Sequence, residues 1–136
     1  AIAAYRVILD QDPDSLVGHV WTGQAFIRKN DFESALPHMR RAAELSPDDA
    51  ATQYNAGAVM LQMNEVEAGI AAMERAIELR PEFPIARKNL GYAYLRVQKY
   101  QEAVDMLKSY LEQAPDAPDH ADVQGMIQAI EAQIQG

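Results

Sequence analysis

Cysteine is absent from the 136 residues, which excludes disulfide staples and thiolate chemistry. No apolar run is long enough for a membrane-spanning helix, and no signal-peptide pattern opens the chain, so direct membrane insertion is not expected. Cations are scarce: 12 Lys and Arg against 20 Asp and Glu leave a net charge of −8. A chain of that sign repels phosphate backbones unless its cations are segregated, so nucleic acid is not the expected partner. Catalytic signatures are missing too: there is no nucleophile elbow and no Gly-rich phosphate loop after a strand. The three His residues, His19, His38 and His120, fall without paired ligand spacing. No enzyme activity, catalytic residue, metal or cofactor is therefore expected. Each His is read as a surface or interhelical residue, and the numerous carboxylates as solvated outer faces.

What is present is one domain's worth of ordinary globular composition, 49% hydrophobic and 24% charged. It carries a strict internal period. Pro recurs at 13, 47, 81 and 115, each 34 residues after the last, and each is followed by an acid: Asp14, Asp48, Glu82, Asp116. Gly23, Gly57, Gly91 and Gly125 repeat at the same spacing, as do Ala1, Ala35, Gly69 and Ala103, with Ala42 and Ala76 as a further pair.

Each unit holds two amphipathic stretches with apolar residues three and four apart, the period of a helix. The spacing predicts helices over Ser15–Lys29 and Phe32–Leu45, then Ala50–Met63 and Val66–Leu79, then Pro84–Gln98 and Tyr100–Gln113. Asn30-Asp31 is turn chemistry, with Asp31 placed to cap the helix that follows. The repeated Pro stops each second helix, and the acid after it suits the positive N-terminus of the next. Pro37 lies early enough in its helix to cause at most a mild bend. A Gly inside a helix costs roughly 1 kcal/mol relative to Ala, so a regular ladder of them implies compensation by packing. Gly23 and Ala35, Gly57 and Gly69, and Gly91 and Ala103 are therefore expected to face each other where the helices of a unit cross.

These positions resemble the tetratricopeptide repeat (TPR) family, which has the same period and small residues at its helix crossings. The motif falls on Gly23, Phe26, Ala35, Met39, Ala42 and Pro47, then on Gly57, Met60, Gly69, Met73, Ala76 and Pro81. In the third unit it falls on Leu90, Gly91, Tyr94, Ala103, Leu107, Tyr110 and Pro115. Departures are His19, Gln53 and Arg87, where the family often has Trp, and Tyr110, where it usually has Ala. The resemblance implies an all-α, right-handed superhelical solenoid of antiparallel helix pairs forming a single domain over residues 1–136. Residues 1–12 are read as the second helix of a truncated repeat, 15–48, 49–82 and 83–116 as three full repeats, and 118–136 as a capping helix. In that helix, expected from about Asp119 to Gln135, Val123, Met126, Ile127, Ile130 and Ile134 form the apolar face and Gln124, Gln128, Glu131 and Gln135 the polar exterior. The C-terminus is thus expected to be a natural end. The N-terminus, which lacks an initiator Met and half a repeat, is expected to be a cut.

In the family the first helix of each unit lines a concave wall. The sequence adds that acids are absent from Ser15 through Asn30, Ala50 through Asn64 and Phe83 through Gln101, while these stretches carry Arg28, Lys29, Arg87, Lys88, Arg96 and Lys99. A neutral-to-positive groove on an acidic body would steer an acidic or carboxylate-bearing peptide inward. The resemblance implies groove positions at Val17, Val20, Trp21, Gln24 and Arg28 in the first unit. It implies Ala51, Tyr54, Asn55, Ala58 and Gln62 in the second, and Ile85, Lys88, Asn89, Tyr92 and Arg96 in the third. Asn55 and Asn89 share a repeat position, and an Asn amide both donates to and accepts from an extended peptide backbone. The pair is similar to the asparagine ladder of the O-linked N-acetylglucosamine transferase repeats, shortened to two rungs because Trp21 holds the third. The charged clamp that other family members use on chaperone tails is incomplete: Val20, Gln24, Ile85 and Asn89 stand at clamp positions and only Asn55 matches. The expected function is a protein-interaction scaffold gripping an extended peptide. The alternative is self-assembly into oligomers through the N-terminal helix (Ile2, Tyr5, Ile8) or the convex wall. An acidic, Cys-free chain suits cytoplasm or periplasm alike, so its compartment stays open.

Overall fold

Short turns separate eight α-helices, the only helices or strands in the computed structural model, which describes residues 2–136. They are α1 (Ile2–Gln11), α2 (Leu16–Arg28), α3 (Phe32–Leu45), α4 (Ala50–Gln62), α5 (Val66–Leu79), α6 (Pro84–Arg96), α7 (Tyr100–Gln113) and α8 (His120–Gln135). The chain divides into two compact units, Ala1–Leu79 and Arg80–Gly136. In the first, α1 packs on α2, α2 on α3, α3 on α4 and α4 on α5. In the second, α6 packs on α7 and α7 on α8. Connections this short force consecutive helices within each unit to run antiparallel.

The same turn is used inside every repeat. Asn30, Asn64 and Gln98 follow α2, α4 and α6 with φ of 63°, 64° and 63°. This left-handed conformation ends α6 at Arg96, two residues before the end its apolar spacing predicts. Asp31 then caps α3 by accepting the Ser34 N–H at 3.2 Å, and Ser15 caps α2 by accepting the Gly18 N–H at 3.0 Å. The acids after Pro13 and Pro47 do not cap the next helix. Asp14 accepts from Arg41, and Asp48 from Arg75, both at 2.7 Å, pinning these two turns to the second helix of the repeat that follows. Pro37 leaves α3 unbroken over Phe32–Leu45.

Two apolar clusters hold the units. Ala35, Leu36, Met39, Ala56 and Val59 form one, with Phe26, Ile27 and Phe32 against it. Val104, Leu107, Tyr110, Val123, Ile127 and Ile130 form the other. The small-residue ladder works by backbone approach. A Cβ on Gly57 would lie 3.2 Å from the carbonyl oxygen of Gly69, and one on Gly69 equally close to that of Gly57. A Cβ on Gly91 would lie 3.4 Å from the Ala103 carbonyl oxygen and 2.9 Å from Leu107. At Gly23 the nearest neighbour is the Met39 side chain at 2.7 Å, rather than Ala35. Ala1 lies outside the described residues. Gly125, the last rung, has nothing within 4 Å.

The positions where the family often has Trp share a different task. His19 Nε2 lies 2.7 Å from the Pro13 carbonyl, Gln53 donates to the Pro47 carbonyl at 3.5 Å, and Arg87 donates twice to the Pro81 carbonyl at 2.9 and 3.1 Å. Each side chain reaches back six residues to satisfy the carbonyl of the turn. On α8, Val123, Ile127 and Ile130 are buried, but Met126 and Ile134 are 36% and 43% exposed, which removes both from the apolar face expected of them.

The ladder predicts opposite effects from equal-looking changes. Gly57→Val should destabilise the fold by about 1–3 kcal/mol through overpacking. Gly125→Ala should stabilise it by up to about 1 kcal/mol through helix propensity alone. Urea denaturation followed by circular dichroism reads both. The turns predict that Gln98→Asn, matching the two other repeats, raises stability by roughly 0.5–1 kcal/mol, because Asn tolerates the left-handed region better than Gln; thermal melts test it.

Candidate functional site

None of the groove positions expected from the sequence is buried. On α2, Val20 and Gln24 are half-buried, while Trp21 and Arg28 are exposed. On α4, Tyr54, Asn55 and Ala58 are half-buried and Gln62 is exposed; α6 repeats that gradient with Lys88, Asn89 and Tyr92 followed by exposed Arg96. Each helix thus turns one stripe, at spacings of three and four, toward water, while its opposite face packs on the second helix of the repeat. Val17 and Trp21 on α2 and Ile85 on α6 are among the few large apolar side chains left open, at 52%, 51% and 41% exposure.

An open cavity belongs to the first unit. Tyr5, Trp21, Gln24 and Arg28 line an open pocket of about 320 Å³. Tyr5 meets Trp21 edge to face, with ring centroids 5.6 Å apart at 79°. Tyr5 lines this pocket although its sequence position suggested only the apolar face of α1. Its counterparts one, two and three repeats on, Met39, Met73 and Leu107, are fully buried, and that periodicity masked its different role. Arg28 forms no ion pair among the described residues, and the Asn55 amide has no hydrogen-bond partner there.

In the second unit Lys88 is committed locally. Its ammonium donates to Asp119 at 3.0 Å and lies 5.3 Å from the centre of the Tyr110 ring, while the Tyr110 hydroxyl donates to the other Asp119 oxygen at 2.6 Å. Asp119 precedes α8, so this triad ties the start of α8 to α6 and α7 and gives the Tyr110 departure a structural reason. The hydrogen bonds from Tyr110, then Lys88, hold the Asp119 carboxyl below its usual range, and the bond to Asp119 raises both Lys88 and Tyr110.

The sequence profile of the tetratricopeptide repeat family matches residues 1–50, 21–62 and 54–118. The chain belongs to the tetratricopeptide repeat family. No curated protein matches it in sequence. Among solved structures this TPR chain is similar to the MamA protein, with a TM-score of 0.90 at 21% identity over 97% of this chain and 72% of that one. It is similar to YrrB, described as a TPR protein with an unusual peptide-binding site, with a TM-score of 0.86 at 20% identity over 96% and 68%. The TPR2B domain of yeast Sti1, solved in complex with an Hsp70 peptide, superposes with a TM-score of 0.75 at 19% identity over 87% and 97%. At such identities the likeness is one of fold.

Two histidines that the sequence left unpaired come together in this TPR fold. His19 on α2 and His38 on α3 approach to 3.1 Å between their Nδ1 atoms. They occupy different repeat positions, so no periodicity announced the pair. Among the described residues, no helix is long and apolar enough to cross a membrane.

The Lys88–Asp119–Tyr110 triad predicts a pH response. Because the folded Asp119 pKa is depressed, its contribution to stability is complete above the ordinary carboxylate value near 3.8 and is lost as pH falls through the lower folded value. Tyr110→Phe should move the Asp119 midpoint upward, read by carboxyl carbon chemical shifts across a pH series.

Proposed function

We propose that this TPR chain is a protein-interaction scaffold that holds an extended peptide against the first helices of its repeats. The observation that carries this reading is the Trp21 pocket. A half-exposed indole beside Tyr5, Gln24 and an unpaired Arg28 stands on a helix without acids, in a chain of net charge −8. Leaving that apolar area in water is unfavourable by about 25 cal/mol per Å², and burying it under a ligand recovers that free energy. Tyr and Trp provide large rigid contact area at low entropic cost. Asn55, half-buried with an unused amide, is placed to bond the backbone of such a ligand, and Asn89 holds the same position on α6. Val20, Tyr54, Ala58, Gln62, Tyr92 and Arg96 complete the proposed contact stripes. Lys88 acts there through the triad that orders α8 more than as a free charge. Arg28, rather than Lys88, is the cation that favours an acidic or carboxylate-bearing ligand. The fold likeness to YrrB, a TPR protein with an unusual peptide-binding site, and to the Sti1 domain, solved in complex with an Hsp70 peptide, agrees with this reading.

A second reading, self-assembly, is favoured by α1, which has no buried residue and leaves Val7 and Ile8 55% and 37% exposed. Sedimentation equilibrium separates the two, since assembly through α1 makes mass depend on concentration and on Ile8→Glu.

The direct test selects peptides from a random display library and measures affinity by fluorescence polarisation. Selected peptides should bind wild type, weaken about tenfold or more with Trp21→Ala and weaken with Asn55→Ala. They should lose affinity with Arg28→Glu if an acidic group is read. Failure of any peptide to enrich, or equal binding by all variants, would overturn the groove.

A further inference from the structure

The His19–His38 pair lies outside the peptide-facing stripe and is not needed by it. The Pro13 carbonyl 2.7 Å from His19 Nε2 can only accept, so Nε2 carries the proton and neutral His19 presents a lone pair at Nδ1. Three ångströms away, His38 Nδ1 supplies the proton that joins the rings. Two imidazole nitrogens from two different helices therefore lie 3.1 Å apart at the half-buried edge of α2 and α3.

We propose that His19 and His38 form a divalent transition-metal site, typified by Zn2+, with the two Nδ1 atoms as protein ligands and water in the remaining positions.

The spacing suits it. Two nitrogens on one tetrahedral Zn2+ at ordinary bond lengths stand about 3.3 Å apart, so the 3.1 Å pair opens by a small ring rotation. On binding, the His38 Nδ1 proton passes to Nε2 of the same ring. The imidazole stays neutral, its Nδ1 lone pair goes to the metal, and no proton is lost overall. The contact from His19 Nε2–H to a backbone carbonyl is the outer-shell arrangement that fixes the tautomer and orientation of metal-bound imidazoles. Phe26 stacks on His38, with ring centroids 6.0 Å apart at 22°, and holds that ring as well. Arg6 lies near enough to act electrostatically on His38. Imidazole ligation suits Zn2+, Cu2+ and Ni2+ over Mg2+ and Ca2+. Among the described residues no cluster of three or more His, Cys, Asp or Glu side chains surrounds a common point. The site is accordingly open and exchangeable, with Arg6 nearby weakening it electrostatically, and its role is to clasp α2 to α3 when metal is present.

The repeat itself supplies the controls. Gln53 holds the position of His19 one repeat on, where it also reaches a turn carbonyl, and Met106 holds the position of His38 two repeats on. His19→Gln and His38→Met therefore install residues this fold already uses. Zinc chloride titrated into the full chain at pH 7.5, followed by histidine-ring nitrogen NMR and by calorimetry, should show one equivalent bound. The His19 and His38 Nδ1 resonances should move while those of His120 stay, and binding should vanish in each variant and at pH 5. Rings that do not shift at saturating Zn2+, or binding that persists in both variants, would overturn the site. Should either variant misfold, the ring shifts of the wild type decide the question alone.

Discussion

Close approach of two helix backbones inside the second and third repeats is the constraint on which the other features depend. Gly57 and Gly69 lie so near each other that neither has room for a free Cβ, and Gly91 meets Ala103 in nearly the same way. Bringing the axes this close lets Met73 and Leu107 bury completely between the pair. It also places the turn residues Asn64 and Gln98 in a left-handed conformation that reverses the chain at once. Once the second helix is fixed there, the first helix has one face for packing and one face for solvent. An accessible stripe on each first helix, taken by itself, follows from that division.

Side chains that break the repeat pattern are the ones that give the molecule its individuality. His19, Gln53 and Arg87 replace an aromatic with three different donors, and all three satisfy a proline carbonyl of the preceding turn. The requirement at that place is one donor of sufficient reach, not one shape. Tyr110 departs from the small residue usual there and uses its hydroxyl to hold Asp119, the residue that opens α8. Lys88 joins them, so a cation on an accessible stripe becomes part of the scaffold.

Helix positions were legible because the apolar period and the turn signals agree along the whole chain. α3, α5 and α7 begin and end at the residues the spacing indicates, and α6 differs only because Gln98 turns left-handed without an Asn or Gly to announce it. The accessible stripe was legible from the resemblance together with the missing acids. The Tyr5–Trp21 contact, the Lys88 triad and the His19–His38 pair were not. Each joins residues at unrelated repeat positions, and a period reports only what recurs.

Sequence alone determined the all-helical repeat, because apolar residues three and four apart recur twice within each 34-residue unit and turn residues separate them. It also determined the charge contrast between first helices and the rest of the chain, which is a matter of composition. Tertiary structure decided which polar groups are spent and which remain available. Lys88 is consumed by Asp119, whereas Arg28 forms no ion pair and the Asn55 amide no hydrogen bond among the described residues. The reason is physical: hydrogen bonds and ion pairs depend on distances of about 3 Å between atoms of different helices, and no one-dimensional spacing specifies them.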